Sequence, residues 1–210
     1  MNTVPFAFCD AVFATLVDLH VRKLDTFARS VSANCGHWKA AFDNRRRVKI
    51  QIGGNETGAR CLITDEKSNY CLSFEDFYQI KPDRLRFDSI LLFTPLPLSS
   101  KCSRDELFKL LRYIAPLVNS THLGVMFPSG EQFAATILNF LHKSCFCSMT
   151  FMDRKEPDDV CVSFLMEQLT LGQLMTLNMI GFTEWNDQDL NRRIEELKQG
   201  GLDVQAMKII

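Results

Sequence analysis

Tyrosine and tryptophan are scarce in this 210-residue chain, with 3 and 2 copies against 17 phenylalanines. Its aromatic packing therefore comes mostly without polar handles, which points to a dry core or an apolar interface. An excess of charge of either sign is also missing: 24 basic residues stand against 25 acidic ones, for a net charge of -1. That balance gives no general attraction to nucleic acid or to an acidic membrane. The opening MNTVPFAFCDAVFATL is too short to cross a bilayer and carries Asp10 within it. No basic residue precedes Pro5, so the n-region of a secretory signal is lacking. The stretch is expected to be a folded part of the mature protein, with the cytosol or nucleus as its compartment and no membrane partner.

Other absences narrow the chemistry. The four histidines, His20, His37, His122 and His142, show neither the His-Glu-x-x-His spacing of zinc enzymes nor a neighbouring nucleophile motif. Each reads as a surface or capping residue. Between the first clear α/β strand and its helix stands TPLPLSSKCSRDE, without the glycine that close approach to phosphate requires. Gly53, Gly54 and Gly58 lie instead in a hairpin context, where the freedom to take positive φ explains them. There are eight cysteines, but Cys9, Cys61, Cys71, Cys145, Cys147 and Cys161 fall in apolar runs, where a thiol behaves as a small buried hydrophobe. They are expected to be reduced. Cys145-Phe-Cys147 lacks a second Cys/His pair at finger spacing, so no metal or cofactor is expected.

What is present alternates clearly. Residues 4–43 read as two or three short helices: Pro5 at a helix start, then Phe8, Val12, Leu16 and Leu19 on one face. Leu24, Phe27, Ala28 and Val31 follow on a second helix, and Trp38, Ala41 and Phe42 on a third stretch. Val48, Ile50 and Ile52 then alternate with polar residues, and ARCLIT and NYCLSF add two more strands, giving an antiparallel meander over residues 48–74. From FDSILLF (87–93) onward, strand and helix patterns alternate four times, with strands HLGVMF (122–127), CSMTFMD (147–153) and TLNMIGF (176–182). Ser103 and Glu106 frame a capping box before RDELFKLLRYIAPL. Strands separated by helices most naturally lie parallel. The fold class is therefore α/β: an N-terminal helical module (4–43), an α/β domain (48–199) and a C-terminal tail (200–210). A doubly wound sheet and a curved solenoid of leucine-rich-repeat-like βα units both fit, and because the units are irregular and the asparagine-bearing repeat consensus is absent, a short, degenerate solenoid is expected over a regular one.

Two charged clusters remain. Arg45-Arg46-Arg47 is the only dense basic run; it could contact phosphate, but three charges between two elements usually make a solvated junction, and nucleic acid is not the expected partner. Glu156, Asp158 and Asp159 read as an acidic loop favouring the positive end of a helix dipole.

The segment VPFAFCDAVFATL, followed by VRKLDTFARSVSANCGHWKAAF, resembles a degenerate F-box. Val4, Pro5, Val12, Leu16, Leu24, Val31 and Trp38 match that pattern, and Phe8 lies on the same helical face. The strand-helix units ending FLMEQLTLGQLMTLNMIGFTEW are similar to the regions that follow F-boxes in nematode F-box-like families. The resemblance implies a non-enzymatic protein-interaction protein. Pro5, Phe8, Val12, Leu16, Leu24, Val31 and Trp38 would dock a Skp-type adaptor of a cullin-RING ubiquitin ligase, and the α/β region would hold an unknown protein substrate. Two alternatives stay open: a helical cap that only closes the α/β core, and a small hydrolase or transferase working at the strands' C-terminal edge. Docking predicts solvent-accessible phenylalanines in the first helix, whereas a cap predicts their burial against residues beyond 48.

Overall fold

The computed structural model describes residues 5–17, 37, 40–41, 45–55, 58–92, 96, 100–119, 121–126, 131–152, 159–182, 185 and 187–207. Val4, His20, the helix expected over Val21–Val31 with Leu24, Cys35, Trp38, Phe42, Glu156 and Asp158 lie outside them.

The first described element is helix α1, Phe6–Val17. Pro5 sits directly ahead of it, and the Pro5 carbonyl accepts from the Phe8 and Cys9 N–H groups at 3.0 and 3.2 Å, which closes the first turn. Three antiparallel strands follow: β1 (Arg46–Asn55), β2 (Gly58–Asp65) and β3 (Tyr70–Leu72). The β1–β2 connection needs its glycine: Gly54 has φ +119, and a Cβ there would lie 2.2 Å from the Gly58 carbonyl oxygen. NYCLSF is a strand only as far as Leu72. Ser73 accepts from the Asp76 N–H at 3.0 Å and opens a short helix, α2 (Phe74–Tyr78), that the strand pattern conceals.

The remainder is β4 (Leu85–Leu92), a two-residue β5 (Lys101–Cys102), α3 (Arg104–Ile114), β6 (Thr121–Met126), α4 (Glu131–Leu141), β7 (Phe146–Met152), α5 (Asp159–Leu171), β8 (Thr176–Ile180), α6 (Gln188–Gln199) and β9 (Asp203–Met207). Among the described residues these strands form one nine-stranded sheet in the order β3-β2-β1-β4-β6-β7-β8-β9, with β5 paired to β2. The meander is thus continuous with the parallel region, because β1 pairs parallel with β4. Apart from β5, which pairs antiparallel with β2, the strands from β4 to β9 pair parallel and their spatial order follows chain order. A doubly wound sheet would reverse direction at a switch point. Residues 200–210, expected as a tail, contribute β9. Gly200 closes α6, Gly201 takes φ +106, and the chain re-enters the sheet beside β8.

The sheet has two unlike faces. Ile50, Ile90, Leu123, Met149 and Leu177 are aligned across five neighbouring strands, and all are fully buried. Against this row pack Leu107, Leu110, Leu111 and Ile114 of α3, Ile137 and Leu138 of α4, Phe164 and Leu165 of α5, and Leu190 and Ile194 of α6. Each helix from α3 to α6 also touches the next. The α3 capping box is complete: the Ser103 N–H donates to Glu106 Oε2 at 2.8 Å and the Glu106 N–H to Ser103 Oγ at 3.1 Å.

Buried polar groups tie successive units together. Thr121 Oγ1 donates to the Phe87 carbonyl (3.3 Å), Ser144 Oγ to the Ala115 carbonyl (2.9 Å) and Gln168 Nε2 to the His142 carbonyl (3.2 Å). Thr121 and Ser144 are fully buried and Gln168 nearly so, so each needs its partner.

Candidate functional site

Two surfaces frame the functional question. The first is α1. Phe8 is 56% exposed, Pro5 and Ala11 are exposed, and Phe6 and Val12 are half-buried. Cys9, on the opposite side of the helix from Ala11, is fully buried. So is Ala41. Leu16 lies within α1, but its side chain is outside the described residues, as are Leu24, Val31 and Trp38.

The second is the sheet face opposite the buried row. Parallel register aligns Lys49, Ser89, His122, Ser148 and Thr176 across β1, β4, β6, β7 and β8. His122 Nδ1 lies 3.1 Å from Ser148 Oγ. In the next row Asn178 Nδ2 donates to Thr150 Oγ1 at 3.1 Å, while Asn178 Oδ1 is inaccessible to water and has no hydrogen-bond partner among the described residues. This face is mostly half-buried and polar, unlike the apolar face under the helices. The sequence listed His122 only among scattered histidines. A register shift between Thr121 and His122 brings it opposite Ser148, and no local spacing announces that.

The His122–Ser148 pair has the elements of a nucleophile and a base, and its neighbours in the row, Ser89 and Thr176, bear hydroxyls. The pair also sits in the first half of β6 and β7, whereas α/β folds place ligands beyond the strands' carboxyl ends.

Two of the described thiols are held protonated. The seven described cysteines are free. Burial, and then the neighbouring Cys102, pushes the Cys61 thiol far above its usual range. Burial, and then the Glu106 carboxylate, raises Cys102 to about 11. Both therefore stay as weakly nucleophilic thiols. Beside them Tyr78 is raised as well, by burial first and then by Cys61, Tyr113 and Glu106. Cys71, expected to be buried, is exposed because β3 is a short outer strand with little packed over it. Among the described residues no group of three or more His, Cys, Asp or Glu side chains is placed to hold a metal ion. No described helix is long and apolar enough to cross a membrane.

Of the other sequence candidates, His142 Nδ1 lies 2.7 Å from the Asn139 carbonyl at the end of α4, as a helix-end residue would, and His37 is exposed. Asp159 is in the first turn of α5, where a carboxylate suits the helix dipole. Arg45, Arg46 and Arg47 stand at the entry to β1. No protein-family model, no curated protein and no solved structure matches this chain.

Proposed function

We propose that this chain is a protein-interaction protein. Helix α1 docks a Skp-type adaptor, and the polar face of the sheet holds a protein substrate, the work of a substrate-recruiting subunit of a cullin-RING ubiquitin ligase. The observation that carries the reading is the exposure of Phe8. A large apolar side chain that stays more than half exposed on a helix of apolar composition is what a docking anchor presents. A cap would instead bury the helix's apolar residues in the core of the sheet.

The polar sheet face supports the second half of the reading. Half-buried His122, Thr150 and Asn178 offer side-chain hydrogen-bonding groups to a polypeptide laid across the strands. Irregular βα units in chain order present such a face without a deep pocket, as repeat proteins do.

A pull-down with purified Skp-type adaptor tests the proposal. Capture at micromolar concentration is the expected result; no capture by a folded wild-type chain overturns it.

A further inference from the structure

One end of the parallel array is closed and the other is bare. Strand β4 is bordered by the antiparallel strands that begin with β1, whereas no described strand lies beyond β9. Asp203, Gln205, Ala206 and Met207 of β9 are exposed, Met207 at 66%, and only Val204 is half-buried. Edge strands are normally blunted by a lysine, a proline or a bulge, because unpaired main-chain groups recruit another strand. The DVQAM of β9 has none of these and pairs with β8 in unbroken register.

Two hydrogen bonds fix which groups point outward. The Asp203 N–H donates to the Met175 carbonyl at 2.9 Å, and the Gly181 N–H donates to the Met207 carbonyl at 2.7 Å. Alternate residues of a parallel ladder turn both main-chain groups toward the same neighbour. Asp203, Gln205 and Met207 therefore serve β8, while Val204 and Ala206 turn theirs away from it.

We propose that β9 is the seam of a symmetric dimer, in which a second copy of this chain lays its own β9 antiparallel alongside and joins the two sheets. A two-fold axis at Gln205 sets Val204 of each copy opposite Ala206 of the other. Each such pair exchanges both of its main-chain bonds, about four bonds in all. The same register sets Asp203 against Met207 and Gln205 against itself, so no like charges oppose one another. Charge on the adjoining helix is balanced too: Asp189 with Arg192, Glu196 with Arg193 and Glu195 with Lys198 are ion pairs within α6. A second α6 brought alongside thus meets no field of one sign. This self-complementarity favours a copy of the chain over an unrelated strand. The seam also carries the polar row of Thr150, Asn178 and Gln205 across the axis into its counterpart. A seam of 5 residues is short, which sets the dimer in the micromolar range. The dimer does not rest on adaptor docking.

Sedimentation velocity on the full chain, from about 1 to about 200 µM, tests this. Wild type should pass from monomer to a species of twice the mass as concentration rises. Ala206→Pro removes a main-chain donor that faces the seam and none that serves β8, so it should weaken association about tenfold or more while the melting temperature stays close to wild type. Gln205→Lys sets two ammonium groups against each other at the axis and should do the same; its side chain is exposed, so the fold is kept. An equimolar mixture of Gln205→Lys and Gln205→Glu chains should recover the association that each lacks alone, which unfolded variants could not do. A monomer at every concentration overturns the proposal and leaves the edge to a strand from a different protein. A dimer that persists in both Ala206→Pro and Gln205→Lys, or a charge-swapped mixture that stays monomeric, overturns it as well.

Discussion

Trp185 meets Phe151 edge to face, with ring centroids 5.3 Å apart and ring planes at 88°. Its indole N–H donates to Met179 Sδ at 3.1 Å, and Phe182 packs on it at 5.0 Å. One side chain thus joins the ends of β7 and β8 to the segment entering α6. Trp185 is only 3% exposed, so Trp185→Ala should cost about 3–5 kcal/mol, read as a lowered midpoint of urea unfolding. An unchanged midpoint would mean the cluster closes nothing.

The helix α3 cap gives a pH-dependent prediction. The Ser103 N–H, and then its hydroxyl, hold the Glu106 carboxyl below its ordinary range. A carboxylate depressed in the folded state contributes stability that is complete above the unfolded value and is lost as pH falls through the folded one. Wild type should therefore melt above Glu106→Gln at neutral pH, and the two curves should converge in acid. A gap that is constant from neutral pH to pH 3 would contradict this.

The thiols predict an order of alkylation. With iodoacetamide at pH 8, mass spectrometry should find exposed Cys71 modified first, and Cys61 and Cys161 protected until the chain unfolds. Cys102, raised to about 11 from the ordinary 9.0, and Cys61 also fix a sign. Above pH 9 the unfolded chain ionises these thiols while the folded one does not, so stability falls as pH rises. Early modification of Cys61 in the folded chain would refute the buried assignment.

Much of the sheet was legible because period-two alternation survives wherever a strand has one covered face. Val48, Ile50 and Ile52 read correctly for that reason, and the expected parallel pairing of FDSILLF with HLGVMF is present in β4 and β6. The Ser103–Glu106 box was legible because its chemistry is local. Helix α2 was not: five residues carry too little periodicity, and its cap, Ser73, follows strand residues without a break. Strand β9 was missed because it lies at the sheet edge, where only Val204 is half-buried and the pattern has nothing to alternate against.

The candidate surfaces divide the same way. Phe8 could be chosen in advance because helical spacing places it on a face with Val12. The His122–Ser148 pair, 26 residues apart, exists only through the pairing of β6 with β7.

The central claim is adaptor docking through α1, and Phe8 provides the most direct measurement. Because Phe8 is exposed, Phe8→Asp should leave the melting temperature as in wild type, which separates docking from folding. Titration calorimetry with purified Skp-type adaptor should show micromolar or tighter binding by the wild-type chain and its loss in the variant, since burying an unpaired carboxylate in an apolar groove is very costly. A wild-type chain that binds no adaptor, or a Phe8→Asp chain that binds as well as wild type, would contradict the account.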